Sequence, residues 1–193
     1  MPLIPHCRFC ATPLTTTLCD LGAMPLANDY RRPDDSSPER SFPLHARVCP
    51  NCLLVQVDDS VPPDAIFSDY AYFSSYSDSW VAHAKRYAEA MIERFGLDGT
   101  SLVVEIASND GYLLQHFKAA GVPVLGVEPA ANVAETARAK GIETEVAFFG
   151  VETARRLVAQ GRRADLMAAN NVLAHVPDIR DFVGGFATLL KPE

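Results

Sequence analysis

Leu102-Val103-Val104-Glu105-Ile106-Ala107-Ser108-Asn109-Asp110-Gly111 is the stretch that decides the fold. A short apolar run carrying one carboxylate passes into a polar turn closed by glycine. That is the pattern of a buried strand handing over to a helix. The alternation repeats downstream. A helix over 111–120 stops at Gly121, and Val124-Leu125-Gly126-Val127 is a second strand. A helix over 130–140 closes at Gly141, a third strand runs near 142–146, and a helix follows over 151–160. Asp165-Leu166-Met167-Ala168-Ala169 is a fourth strand, followed by a helix over 179–190. Strands and helices alternating at these lengths predict an α/β fold with a parallel, doubly wound sheet. Such sheets bind ligands at the carboxyl ends of their strands.

Upstream the texture differs. A helix is expected from Asp78 or Ser79, either of which could cap it, with Val81, Ala84, Ala88, Met91, Ile92 and Phe95 on its apolar face and Gly96 as its stop. Before it lies an aromatic and serine-rich segment, Tyr70-Ala71-Tyr72-Phe73-Ser74-Ser75-Tyr76-Ser77. Residues 31–40 are polar and proline-bearing and read as a surface loop, while 53–57 reads as a strand. The chain therefore divides into a cysteine-bearing module over 1–58, a connecting segment with its helix over 59–96, and an α/β domain over 97–193.

The module carries two C-x-x-C pairs, Cys7-Arg8-Phe9-Cys10 and Cys49-Pro50-Asn51-Cys52, with 38 residues between them. Each pair can present two thiolates to one ion, and together they supply the four-sulfur set that zinc takes in structural sites. The alternative is four buried, reduced cysteines. Cys19 is the odd one out and reads as a small core residue. A closed four-thiolate site leaves no open position, so its zinc is structural.

Bulk properties narrow the function. Hydrophobic residues at 48% and charged residues at 21% describe a globular chain, and a net charge of −7 without a basic stripe argues against nucleic acid. No run approaches the roughly 18 apolar residues of a membrane span. Met1-Pro2-Leu3-Ile4-Pro5-His6 lacks the core of a secretory signal. The expectation is a soluble, cytoplasmic protein, in which paired cysteines hold metal before they form disulfides.

The loop over 105–111 keeps one glycine, so it is not the G-x-G-x-x-G of a dinucleotide site, which counts against NAD. An acid on the strand and a polar turn suit a cationic, phosphate-free ligand such as S-adenosylmethionine (SAM). Glu128, ending the second strand before Pro129, can accept both hydroxyls of a ribose. Its plainer reading is an acid favoured by the start of a helix. Asn170 and Asn171 follow the fourth strand on the same rim of the sheet.

Taken in order, these motifs resemble the nucleotide-sugar C-methyltransferase family. They are the two cysteine pairs, Asp20-Leu21-Gly22-Ala23-Met24-Pro25-Leu26-Ala27, the segment Tyr70 to Ser77, Glu105 to Gly111, and Asn170-Asn171-Val172-Leu173-Ala174-His175-Val176. The resemblance implies a SAM-dependent enzyme that methylates C3 of a dTDP-4-keto-deoxyhexose on the way to branched antibiotic sugars. By that resemblance His175 is an acid/base or enolate-stabilising residue, and Tyr72 and Tyr76 reach substrate oxygens. The alternatives are a structural histidine and tyrosines that simply pack. The expected cofactor contacts are Glu105, Ala107, Asn109, Gly111, Glu128, Pro129, Asn170 and Asn171. Ala107 departs from the family, which has glycine there, and its methyl is expected to crowd the loop. The family continues past the position of Glu193, so the chain is expected to be part of a longer protein with the general base beyond it. The fourth strand would then be an unpaired edge. A different class of reading is a zinc-stapled module that binds SAM or a partner without turnover.

Overall fold

The computed structural model describes residues 5–27, 30–57, 61 and 70–192. The chain divides into two compact units, Met1–Ile66 with Pro177–Ile179, and Phe67–Val176 with Arg180–Glu193.

The first unit is an antiparallel sheet in the order β1-β2-β3, formed by Thr16–Met24, Phe42–Val48 and Val55–Val57. Its buried cluster is small: Cys7, Leu14 and Cys49, with Cys10, Cys52 and Leu54 packed against it. Every residue of β1 is exposed. Cys19, expected in a core, is therefore a surface residue, because this strand has no buried face on which to place it. The described residues over 30–40 form the exposed loop that their composition predicts.

The second unit holds the parallel sheet, with strands β4 (Val103–Ile106), β5 (Val124–Val127), β6 (Thr144–Glu145) and β7 (Leu166–Ala168) in the order β6-β5-β4-β7. Its helices are α1 (Asp78–Phe95), α2 (Leu114–Ala119), α3 (Ala131–Ala139), α4 (Val151–Ala159) and α5 (Ile179–Leu189). Alternation along β4 explains the two-sided core, since successive side chains leave opposite faces. Val103 joins a cluster with Ala84, Ala88, Leu114 and Phe117, whereas Val104 and Ile106 join Leu125, Leu157, Phe182 and Leu189. Glu105 points to the same face as Val103.

Local chemistry sets the boundaries. Ser77, not Asp78 or Ser79, caps α1, its Oγ accepting from Trp80 N at 3.3 Å. The extended backbone of Ser77 lets its hydroxyl reach back, which a residue already in the helix cannot do. Gly96 closes α1 at φ 61°, with Leu97 N donating to Ile92 O. Phe95, expected on the buried face, is 52% exposed at this last turn. Beside β7, Ala164 forms one parallel bridge to Leu190, so the chain returns to the sheet after α5. β7 itself pairs only with β4 among the described residues and is the edge of the sheet, as expected, with this bridge lying just before its start. Among the described residues no helix is long and apolar enough to cross a membrane.

Residues 107–113 form turns, so α2 starts three residues later than the helix over 111–120 anticipates. Gly111 sits at φ 77°, and a Cβ there would lie 2.9 Å from Ile142 Cγ1. Both the backbone region and the close approach require glycine. Gly111→Ala should destabilise the α/β unit by about 1–3 kcal/mol, read as a lower urea midpoint at unchanged m-value.

Candidate functional site

In the first unit the two cysteine pairs converge. The Sγ atoms of Cys7, Cys10, Cys49 and Cys52 all lie within 4.8 Å of one another, with Cys7–Cys52 at 3.6 Å and Cys10–Cys49 at 3.5 Å. Tetrahedral zinc with bonds of about 2.3 Å places sulfurs about 3.8 Å apart, so the cluster fits that ion. Both pairs fold alike. Ala11 N donates to Cys7 O at 2.8 Å and Leu53 N to Cys49 O at 3.0 Å, and the residue after each second cysteine takes positive φ. Gln56 Nε2 donates to Cys7 Sγ at 3.2 Å, and Arg8 N donates to Gln56 Oε1. Hydrogen bonding to Thr12 draws the Cys10 thiol down to about 5, toward the thiolate that a metal needs.

In the second unit the loop after β4 is held from several sides. Glu128, 4% exposed at the end of β5, accepts from Asn109 N through Oε2 and from Ala130 N through Oε1, each at 2.9 Å. Burial raises its carboxyl, and the two amides work against that rise. Each oxygen keeps a second lone pair for a ligand hydroxyl. Ala107 takes φ 52°. Its cost is left-handed backbone, which is the physical reason a glycine suits this position.

Glu105 has no exposed surface. Its Oε1 accepts from Asn170 Nδ2 at 3.3 Å, and the same nitrogen donates to Tyr112 Oη at 3.0 Å. Glu105 Oε2 is buried without a hydrogen-bond partner among the described residues. Burial pushes this carboxyl well above the usual range, opposed by Asn170 and Tyr112, while the charges of Glu128 and Asp110 raise it further. So placed, Glu105 has no surface of its own to offer a ligand, and Asn170 stands between it and Tyr112 Oη. A cavity of about 30 Å³ lies beside them, lined by Trp80, His83, Ala84, Tyr87, Tyr112, Leu113 and Asn170. It has room for a water molecule and not for a nucleoside.

Asn109 differs most from expectation. Its side chain turns to the aromatic segment, Nδ2 donating to Tyr72 O at 3.0 Å and Oδ1 accepting from Ser74 N at 2.8 Å. Only its backbone amide faces Glu128. Gly111 likewise meets Ile142, and its place in the loop is one of packing. Pro129 is half-buried between Glu128 and α3, whereas Asn171 is exposed at φ 56°. The remaining expected residues lie at the surface: Tyr72 is 51% and Tyr76 94% exposed, and His175 ends an exposed 3-10 turn over Leu173–His175. The structure thus brings Glu105 together with Asn170, and Asn109 with Glu128 and Tyr72. Sequence reasoning missed Tyr112, Asp110, Lys140 and Asn132. Tyr112 and Asp110 stood in or beside the quoted loop; Asn132 and Lys140 carry no local signal.

The α/β unit is a parallel sheet with a buried acid at the carboxyl end of its second strand, and the other unit carries a four-cysteine cluster that could hold a metal ion. The family described as "Methyltransferase domain" matches residues 80–193, and that described as "Putative zinc binding domain" matches 7–67. The chain belongs to the methyltransferase-domain family. Among curated proteins it is 35% identical to "C-methyltransferase NovU" of Streptomyces niveus over 191 residues, 98% of this chain and 46% of that protein. It is 32% identical to "Ubiquinone biosynthesis O-methyltransferase" of Chelativorans sp. over 47% of this chain and 36% of that protein. The chain spans about half the length of the first of these relatives or less. The crystal structure of Streptomyces venezuelae DesVI aligns at TM-score 0.46 and 20% identity, covering 62% of this chain and 49% of that one. SAM for the α/β unit and structural zinc for the cysteine unit agree with the two family matches.

Two outcomes follow from this geometry. One zinc ion per chain is expected by metal analysis, and a chelator should abolish hydrogen-exchange protection of the β2 and β3 amides. Protection that survives in the metal-free chain would remove the structural role. For Glu105, a folded-state pKa above the unfolded value means the folded chain is penalised as pH rises past the unfolded value near ~4.3. Glu105→Gln lacks that penalty. Its urea stability relative to wild type should therefore grow from pH 5 to pH 8, and a constant difference would contradict the buried-acid assignment.

Proposed function

We propose that this chain is the cofactor-loading part of a cytoplasmic SAM-dependent C-methyltransferase that acts on a nucleotide-linked 4-keto-deoxyhexose, with C3 as the methylated carbon. The observation that carries the reading is the buried Glu128 carboxylate, fixed between the Asn109 and Ala130 amides beside a loop without dinucleotide glycines. The 35% identity to a C-methyltransferase over nearly the whole chain supports the reaction class, and the link to antibiotic deoxysugars rests on the same resemblance.

When bound, SAM supplies a methyl group on a sulfonium for a carbon nucleophile. The chain's residues prepare its site. Glu128 accepts the ribose hydroxyls, and Pro129 starts the turn that sets that carboxylate at the strand end. Asn170, with Asn171 behind it, lines the rim over Glu105. The Glu128 carboxyl favours ligand hydroxyl donors and a cationic group over a phosphate. On the substrate side, Tyr72 and Tyr76 offer hydroxyls to sugar oxygens, and His175 holds or moves the proton at the carbon alpha to the ketone, or stabilises the enolate oxygen.

A second reading, SAM capture without turnover, is favoured by the exposure of Tyr72, Tyr76 and His175. One set of measurements separates the two. Calorimetry should show SAM binding by the wild type and a loss of roughly tenfold or more for Glu128→Ala, since hydrogen bonds to a charged acceptor are at stake. NADH binding with no SAM binding would overturn the cofactor assignment. Methyl transfer to a dTDP-4-keto-deoxyhexose is expected from the longer protein, and turnover by the 193-residue chain alone would sink the binding-only reading.

A further inference from the structure

Over residues 70–77, the described residues directly before α1, the regular structure is a 3-10 turn over Ser74–Tyr76. Polar side chains from the loops and helix at the ligand end of the sheet take up backbone groups of this segment. Asn132, in the first turn of α3, donates from Nδ2 to Tyr70 O at 2.9 Å and accepts from Tyr70 N at 3.3 Å. This amide satisfies both main-chain groups of one residue, as a neighbouring strand would. Asn109 holds Tyr72 O and Ser74 N in the same bidentate manner. Asp110 Oδ2 accepts from Ser75 N at 3.3 Å, and Lys140 Nζ donates to Ser75 Oγ at 2.9 Å and to Asp110 Oδ2 at 3.0 Å.

Asn109 and Asp110 are buried and Asn132 is half-buried, whereas Lys140, Tyr72 and Tyr76 are exposed. Asn109 is 7% exposed, Asp110 2% and Ser74 7%, against 51% for Tyr72 and 94% for Tyr76. Asn109 also lies at φ 51°, a conformation that asparagine tolerates better than most residues, with its backbone amide on Glu128 Oε2. One residue therefore touches the carboxylate of the nucleoside site with its main chain and the tyrosine segment with its side chain.

We propose that Asn109 and Asn132 are positioning residues that fix the register of the tyrosine-bearing segment 70–76 and couple it to ligand seating at Glu128. The inference rests on the reading of Glu128 as the ribose acceptor and of Tyr72 and Tyr76 as substrate-facing. A ligand that stiffens the Glu128–Asn109 contact stiffens the segment, and by linkage a loosened segment weakens the ligand. Asn132 is the discriminating position, because its side-chain amide bonds to Tyr70 and not to the loop after β4.

The test uses the full 193-residue chain, with S-adenosylhomocysteine as probe. In the wild type the probe should slow hydrogen exchange at the Ser74 and Ser75 amides. Asn132→Ala should speed exchange at Tyr70 and Ser74 by about tenfold and weaken probe affinity by roughly fivefold. Asn132→Asp keeps the acceptor for Tyr70 N and places an acid in the first turn of α3, where the helix favours it. It should fold normally and fall between the other two. Faster exchange in Asn132→Ala with unchanged probe affinity would overturn the coupling, and unchanged exchange would overturn the positioning role. A wild-type chain that binds no probe would instead overturn the functional reading beneath it.

Discussion

The α/β unit depends on one buried carboxylate. Glu128 spends one lone pair of each oxygen on a backbone N–H, from Asn109 in the loop after β4 and from Ala130 at the start of α3. Taking an ionised group out of water is costly, and these charge-assisted bonds offset part of that cost. In return, two adjacent strand-to-helix loops are tied at fixed separation. The left-handed backbone at Ala107, Asn109 and Gly111 follows from this, because a loop with three positive-φ residues in five needs an anchor outside itself. The grip on residues 70–76 then extends from the same loop.

In the cysteine unit the metal ligands are most of the core. Among the described residues its buried apolar cluster is Cys7, Leu14 and Cys49, with two of their three packed neighbours again cysteines. Two or three buried apolar side chains contribute a few kcal/mol, whereas ordering several tens of residues costs many times that. Apolar burial alone cannot close the gap. A tetrahedral ion holding four thiolates can, since its binding free energy is folding free energy. This also explains how β1 persists with all nine residues exposed: it is hydrogen-bonded to β2, and β2 leads directly into the second cysteine pair.

These two modes of stabilisation explain what was legible in the sequence. The α/β half announced itself because buried strands must be apolar, so β4, β5 and β7 and the glycines after α1, α2 and α3 could be read directly. The cysteine pairs were equally plain, since metal geometry demands their spacing. Strand β1 gave no such signal, because an exposed strand has no period-two pattern to impose, and β2, half-buried without alternation, gave none either; Cys19 lies on the exposed β1. At the site, residue type was readable but direction was not. Asn109 looked like a ligand contact because it sits in the right loop, and only its backbone conformation turns its amide toward Tyr72 and Ser74. Asn132 and Lys140 act across 62 and 65 residues of sequence, a separation that no local pattern encodes.

The way segment 70–76 is held has a consequence for how such a site can vary. The two asparagines and Asp110 bind main-chain N–H and C=O groups, which every residue except proline provides. The side chains at Tyr72 and Tyr76 are therefore not consumed in attaching the segment, and their exposure fits that division of labour. A segment attached through its side chains would have to keep them for the attachment. One attached through its backbone can change what it presents while its register stays fixed by Asn109, Asp110 and Asn132, provided proline is kept from Tyr70, Ser74 and Ser75, whose N–H groups are in use. Backbone capture of segment 70–76 thus leaves its tyrosine side chains out of the attachment, so a substitution at Tyr72 or Tyr76 need not disturb the contacts between Asn109 and Glu128.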